Sequence, residues 1–231
     1  MEKVRVWFSL IPGLEDVPFH ILMANFAMLI LVLLSIAAYF YVKKKMEKRD
    51  FLPEDKPGTG NILVLSVELL REMVVQTMGE EGEKFVPLFG SIFIYIFVNN
   101  LLGLIPGFAP ATSNVNTNAA VAIFVFFATH YYGFKYHKWK YVKHFTGPVW
   151  WLVILMVPIE LIGHLVRPVS LSLRLMGNMF GDHTVLEIFT HLTWIGVPIF
   201  FLILGTFVAF VQAFIFTMLS IAYIAGAIEE E

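Results

Sequence analysis

Residues 19–42 read FHILMANFAMLILVLLSIAAYFYV, an apolar run that is long enough to cross a bilayer as a helix. The run lacks the period-two alternation of a barrel strand. Because irregular backbone cannot face lipid, a spanning segment must be a helix or a strand of a closed barrel. The run therefore predicts a membrane helix, and with it an all-α integral membrane protein.

The composition of the whole chain agrees with this prediction. Of its 231 residues, 58% are hydrophobic and 15% are charged, and the mean hydropathy of +0.75 is too high for a water-soluble domain of this size. A net charge of −2, with the lysines in two short clusters, argues against nucleic acid as a partner. The absence of cysteine excludes disulfides, iron–sulfur clusters and thiolate zinc sites. We expect neither a metal nor a cofactor.

The apolar runs predict five membrane helices and one amphipathic interfacial helix in a single membrane domain that covers residues 1–231. The N-terminal stretch has too short an apolar run for a secretory signal, so Met1 is expected to belong to the mature chain. The expected order is an outside segment at 1–18, a first span at 19–42, a cytoplasmic linker and amphipathic helix at 43–84, a helical hairpin at 85–134, and a long tilted hairpin at 148–227.

Two basic clusters predict the orientation. Residues 43–49 read KKKMEKR and residues 135–144 read KYHKWKYVKH, and such clusters mark cytoplasmic ends. The uncharged turn at 106–118 then faces outside, and five spans place the N-terminus outside and the C-terminus in the cytoplasm. The segment 148–191 would measure about 66 Å as one straight helix, so it either breaks near Pro158 or Pro168 or lies steeply tilted.

A polar stripe runs along this long segment. Its members fall within an arc of about 80° on a continuous helix. They are Glu160, His164, Arg167, Arg174, Asn178 and Asp182. The first three can neutralise one another, whereas Arg174 stands among leucines and needs an anionic partner, because a buried arginine keeps its proton.

Further polar residues extend this pattern. His183 and Glu187 continue it with Asp182 toward the outer end, as in the Asp/Glu/His relays of proton pathways, or they mark the interfacial end of the helix. On the last helix, Gln212 shares a face with Tyr223 and with small residues. Gln212 either forms an interhelical hydrogen bond or faces the cavity of Arg174.

Three motifs in order resemble the subunit a family of F-type ATP synthases. They are FVNNLLGLIPGFAPATSNVN at 97–116, IELIGHLVRPVSLSLRLMGNM at 159–179, and QAFIFTMLSIAYI at 212–224. The resemblance implies a non-catalytic, multi-pass subunit in the inner membrane of a bacterial cell. Its implied partners are the proteolipid subunits of the c-ring, the peripheral stalk subunit b and the rest of the complex.

The resemblance also implies site residues. Arg174 matches the essential arginine, Glu160 the acidic residue of the same helix, Asn178 the asparagine of the RLxGN motif, and Gln212 the glutamine of the last helix. Arg174 would couple two offset proton half-channels to rotation of the c-ring, and H⁺ or Na⁺ stays open as the coupling ion. Candidate channel-lining residues are Asn100, Asn116, His164 and Tyr223, and Pro106 matches the same hairpin as the two asparagines.

The chain departs from the family at one pair of positions. Family members often carry His at one and Glu at the other, whereas here they are His183 and Gly205. Either Glu187 or Asp182 would supply the missing carboxylate.

Two other functions remain as alternatives, a stand-alone ion-coupled secondary transporter and a membrane-embedded hydrolase, although no HExxH pair occurs.

Overall fold

The computed structural model describes residues 17–47, 59–105, 108, 110–138, 141, 153–193 and 196–229. The six long elements among them are all α-helices, in agreement with the predicted class. They are α1 (Phe19–Glu47), α2 (Thr59–Met78), α3 (Val86–Leu102), α4 (Val115–His137), α5 (Val153–Leu192) and α6 (Gly196–Ile228). Short 3₁₀ helices at Glu80–Phe85 and Ala111–Ser113 precede α3 and α4. The predicted outside segment, up to residue 16, and Pro106 lie outside the described residues.

Four described segments are long and apolar enough to cross a membrane. They are Phe19–Lys43, Glu80–Leu102, Val153–Thr190 and Gly196–Ile228. The predicted count of five membrane helices is therefore not confirmed. The fifth candidate, α4, carries two asparagines in its first turn and Lys135 and His137 in its last, and such residues lower its hydropathy.

Helix α2 is not among the four segments either, as expected for an interfacial helix. Gly79 ends it with a φ of 69°, a conformation that glycine adopts without steric cost. The chain then turns back, and Arg71 Nε donates a hydrogen bond to Glu83 Oε1 at 2.7 Å. The Glu83 carboxylate raises the pKa of the Arg71 guanidinium above its usual value. This exposed ion pair joins the end of α2 to the turn that leads into α3.

The long segment 153–192 is one unbroken helix, although Pro158 and Pro168 lie inside it. Of the two predicted outcomes, a break is therefore excluded. At 40 residues, α5 is about 60 Å long, roughly twice the hydrocarbon thickness of a bilayer. It must tilt strongly if it stays within a membrane, and the same holds for the 33 residues of α6.

The packed core lies between α3, α4, α5 and α6. Its fully buried side chains include Phe89 and Ile96 on α3, Val125 on α4, and Ile221 and Ile224 on α6. The outer faces are apolar as well. Large exposed side chains there include Leu33, Phe127, Ile203 and Phe207, each more than half exposed. An outer surface of this kind requires lipid or a protein neighbour.

Candidate functional site

Helices α5 and α6 form an antiparallel hairpin in a fixed register. Near the turn, the rings of Phe189 and Phe201 stack with centroids 4.6 Å apart. At the far end, the Arg167 guanidinium lies 5.1 Å from the centre of the Tyr223 ring. A cation over an aromatic face is held by the quadrupole of the ring. The two contacts fix which residues of α5 and α6 face one another in between.

Arg174 lies between these two contacts and is exposed. It lines one small pocket together with Gln212 of α6, so the structure brings these two predicted residues together. The other residues of this pocket are apolar: Leu171, Leu175, Ile215 and Phe216. Among the described residues, no hydrogen bond or ion pair is found for Arg174. Its permanent charge is therefore available to an anion from outside the chain.

The polar stripe lies along the border between the packed and the open faces of α5. His164 is buried and Asp182 is half-buried, because their edge of the stripe turns toward the neighbouring helices. Arg174 lies on the opposite edge and Asn178 in the middle of the stripe, and both are exposed. Helix α5 thus directs some polar side chains toward α4 and α6 and exposes others on its open face.

The first half of the stripe forms a polar cluster at one end of the hairpin. His164 Nε2 lies 3.2 Å from Glu160 Oε1, and Arg167 Nη1 lies 3.4 Å from His164 Nδ1. The three side chains therefore form a contiguous row, in which His164 lies between the carboxylate of Glu160 and the guanidinium of Arg167. The His164 ring also lies 5.1 Å from the ring of His130 on α4, and His130 Nδ1 is 2.8 Å from the Tyr141 hydroxyl.

His130 and Tyr141 were not predicted as members of this cluster. Both stand in a stretch that reads as the basic, aromatic end of a span, and only the packing of α4 against α5 shows their partners. Conversely, Asn178 was predicted as a site residue and makes no hydrogen bond among the described residues. Asn178 lies on the open face, one turn after Arg174, and is exposed.

Toward the C-terminal end of α5 the structure separates the three predicted residues. The Asp182 side chain lies against Gly205 of α6, and His183 is half-buried beside it in sequence. Glu187 is exposed. No hydrogen bond or ion pair joins His183 to Glu187 in the part of the chain that the structure describes.

A network of buried amides ties the four core helices together. The Asn100 amide donates to the carbonyl of Ala209 on α6 at 3.3 Å, and its Oδ1 accepts from the Thr112 hydroxyl at 2.7 Å. The Asn118 amide donates to the carbonyls of Thr112 at 2.6 Å and of Ser172 on α5 at 3.3 Å. Asn100 was predicted as channel lining, and the structure gives it this interhelical role.

Sequence reasoning selected Asn116 in this region and missed Asn118. Asn116 is exposed, and its backbone N–H donates to Asn114 Oδ1, which caps α4. Two asparagines that are two positions apart point to different sides of a helix, so only the packing tells which is buried. Helical spacing could have identified Asn118 as the buried one, because it lies on the same face as the buried Ala122 and Val125.

Comparison with known proteins agrees with these motifs. The family model described as ATP synthase A chain matches residues 21–225. The chain is 53% identical over 173 residues to ATP synthase subunit a of Trichlorobacter lovleyi, which covers 75% of each chain. It is 48% identical over 173 residues to ATP synthase subunit a of Geobacter sulfurreducens, or 75% of this chain and 76% of that protein. The match to ATP synthase subunit a of Desulfosudis oleivorans is 52% over 170 residues, or 73% and 74%. The chain therefore belongs to the ATP synthase A chain family.

Proposed function

We propose that this chain is the proton-channel stator of a bacterial F-type ATP synthase. One observation carries the proposal: Arg174 stands exposed on α5 beside Gln212, with no anionic partner among the described residues. A membrane-depth arginine is costly unless an anion or water compensates it. A carboxylate on a rotor subunit that passes this position would compensate it. The chain itself is a membrane subunit and performs no catalytic step alone.

The charge of Arg174 explains how such a site couples ion flow to rotation. The guanidinium attracts a deprotonated ring carboxylate and cannot itself release a proton. Protons therefore cannot pass directly between two half-channels on either side of the arginine and must travel on the ring. Each charge that crosses 100 mV supplies about 2.3 kcal/mol, so several protons are required for each ATP.

The remaining predicted residues divide between the two half-channels. Glu160, with His164 and Tyr223, lies on the side of Arg174 that the lysine clusters assign to the cytoplasm. Asp182, His183 and Glu187 lie on the outer side. Asn178 and Gln212 flank the arginine itself, and Asn100 and Asn116 belong to the hairpin at the outer side.

The expected neighbours follow from the exposed faces. The c-ring is expected on the open face of α5 that carries Arg174 and Asn178. Subunit b is expected near α2, whose exposed charged residues include Glu68, Arg71 and Glu72. We place the chain in the inner membrane as a multi-pass protein with its C-terminus in the cytoplasm, because both lysine clusters then face inward.

Co-purification tests this function. An affinity-tagged chain extracted in mild detergent should carry a small two-helix proteolipid, identified by mass spectrometry, together with the soluble ATPase subunits. An unrelated multi-pass protein with the same tag, extracted from the same membranes, serves as the control. A chain that extracts as a self-sufficient monomer or homodimer would instead indicate a secondary transporter.

A second test addresses the outer half-channel. His183→Leu should slow ATP-driven proton pumping in inverted vesicles at least about tenfold, because a titratable group on the path is lost. Unchanged levels of the chain and of the ring in these vesicles would show that assembly is intact. If neither His183→Leu nor Glu187→Leu alters the pumping rate or its pH dependence, both residues belong to the membrane interface and not to the channel.

A further inference from the structure

Gly205 leaves a notch in α6, and the Asp182 carboxylate of α5 fills it. A Cβ atom at position 205 would lie 2.6 Å from Asp182 Oδ2 and 2.7 Å from Leu104 Cδ2, closer than real Cβ contacts allow. Gly205 is itself buried. In contrast, a Cβ atom on Gly163, Gly177 or Gly181 of α5 would meet nothing within 4 Å. The contact between Gly205 and Asp182 is thus a particular feature of the outer part of the hairpin.

The position of Asp182 on α5 determines why it reaches this notch. Asp182 lies about 12 Å along the helix from Arg174. Around the helix axis, it lies within about 20° of the buried Leu171 and Leu175. It therefore continues the row of α5 residues that pack against α6. Among the described residues, its carboxylate makes no hydrogen bond and no ion pair. No described cation fixes its charge in an ion pair, and such a pair would hold a carboxylate in its charged form.

Glu187, the other candidate for the missing acid, is placed differently. It lies about 140° around α5 from Asp182 and is exposed. It therefore points away from the α5–α6 contact at the level of Gly205. Of the two carboxylates left open by the sequence, only Asp182 occupies the space that a side chain at position 205 would fill.

We propose that Asp182 is the proton-carrying carboxylate of the outer half-channel and that Gly205 is the residue that positions it. This inference rests on the proposed function as a channel stator. The Asp182 carboxylate takes a proton from water on the outer side and passes it to the ring carboxylate, so Asp182 is unchanged after each transfer. An acid contributed by α5 thus replaces a side chain contributed by α6.

Moving the acid from one helix to the other tests this inference in the assembled complex. In inverted vesicles, Asp182→Asn and Asp182→Ala should each lower ATP-driven proton pumping at least about tenfold. The double variant Asp182→Ala/Gly205→Asp returns a carboxylate to the same space from α6. It should pump at least about fivefold faster than Asp182→Ala alone, a gain that a merely structural role of Asp182 would not give.

Gly205→Ala tests the notch itself. Its new methyl group meets only the ends of two flexible side chains, so the helices should still pack while the carboxylate moves, and pumping should fall several-fold. Gly196→Ala is the matched control, because it lies on the same helix and its Cβ would meet nothing within 4 Å. Its pumping rate should equal that of the unaltered complex.

The inference is overturned if assembled Asp182→Asn complexes pump at the unaltered rate. It is equally overturned if the double variant pumps no faster than Asp182→Ala, or if Glu187→Gln lowers pumping more than Asp182→Asn does. Arg174→Gln, measured in parallel, separates this result from the proposed function. An inactive Arg174→Gln complex beside a normal Asp182→Asn complex rejects the role of Asp182 alone, whereas a normal Arg174→Gln complex rejects the stator function.

Discussion

Arg174→Gln is expected to lower ATP-driven proton pumping at least about a hundredfold while the complex still assembles. The substitution removes a permanent positive charge and keeps a polar side chain of similar length. Because Arg174 is exposed and makes no hydrogen bond or ion pair among the described residues, few internal contacts are lost. Pumping is measured in inverted vesicles, and assembly is measured as the amount of ring that co-purifies with the chain.

Passive conductance separates loss of the charge from loss of the whole channel. In vesicles stripped of the soluble ATPase, Arg174→Gln should conduct protons at least as well as the unaltered complex, because the barrier between the half-channels is gone. Arg174→Lys should also fail to pump, since lysine loses the planar fork and can release its proton when desolvated. Its passive conductance should change less than that of the Gln variant.

Arg167→Gln is a matched control for this experiment. It removes the same charge from the same helix, two turns earlier, where the guanidinium contacts Tyr223 and His164 inside the chain. It should retain measurable coupled pumping. Normal pumping by an assembled Arg174→Gln complex would contradict the stator role and with it the proposed function.

Asn118→Ala is expected to destabilise the packing of α4 against α5 by about 1–3 kcal/mol. The Asn118 amide donates to the carbonyl of Ser172 on α5 and to the carbonyl of Thr112 in the 3₁₀ helix before α4. The substitution removes both hydrogen bonds and leaves the two carbonyls without this donor. The temperature at which heated vesicles lose half of their pumping should fall, while the initial rate at low temperature changes little.

Thr206→Ala provides the control for this second experiment. The Thr206 hydroxyl is exposed and bonds only to the Leu202 carbonyl of its own helix, at 2.8 Å. Its removal should leave the inactivation temperature unchanged. If Asn118→Ala and Thr206→Ala inactivate at the same temperature as the unaltered complex, the amide network does not stabilise the fold.

The helices could largely be predicted from the sequence, because long apolar runs need no tertiary information. The continuity of α5 could not. Pro158 and Pro168 each remove a backbone hydrogen bond, and whether the helix breaks there depends on the neighbours that satisfy the freed carbonyls. The number of spans depends in a similar way on α4, whose asparagines lower its hydropathy although two of its polar side chains are buried against other helices.

The candidate site could likewise be predicted only in part from the sequence. Residues on a single helix, such as the stripe from Glu160 to Asp182, follow from helical geometry alone. Contacts between helices do not, so the sequence left open whether Gln212 faces Arg174, and it gave no sign that His130 contacts His164. The missing acid was also left open, because only the register of α5 against α6 shows which carboxylate meets Gly205.

The unbroken course of α5 has a consequence for how much its length can vary. Glu160 and Asp182 lie about 33 Å apart along one rigid helix, close to the hydrocarbon thickness of a bilayer, and Arg174 lies between them. No loop separates these three groups, so no loop can absorb an added or missing residue. One extra residue after Arg174 would rotate Asp182 by about 100° and carry it out of the notch at Gly205. The packing of α5 against α6 therefore constrains the number of residues between Arg174 and Asp182.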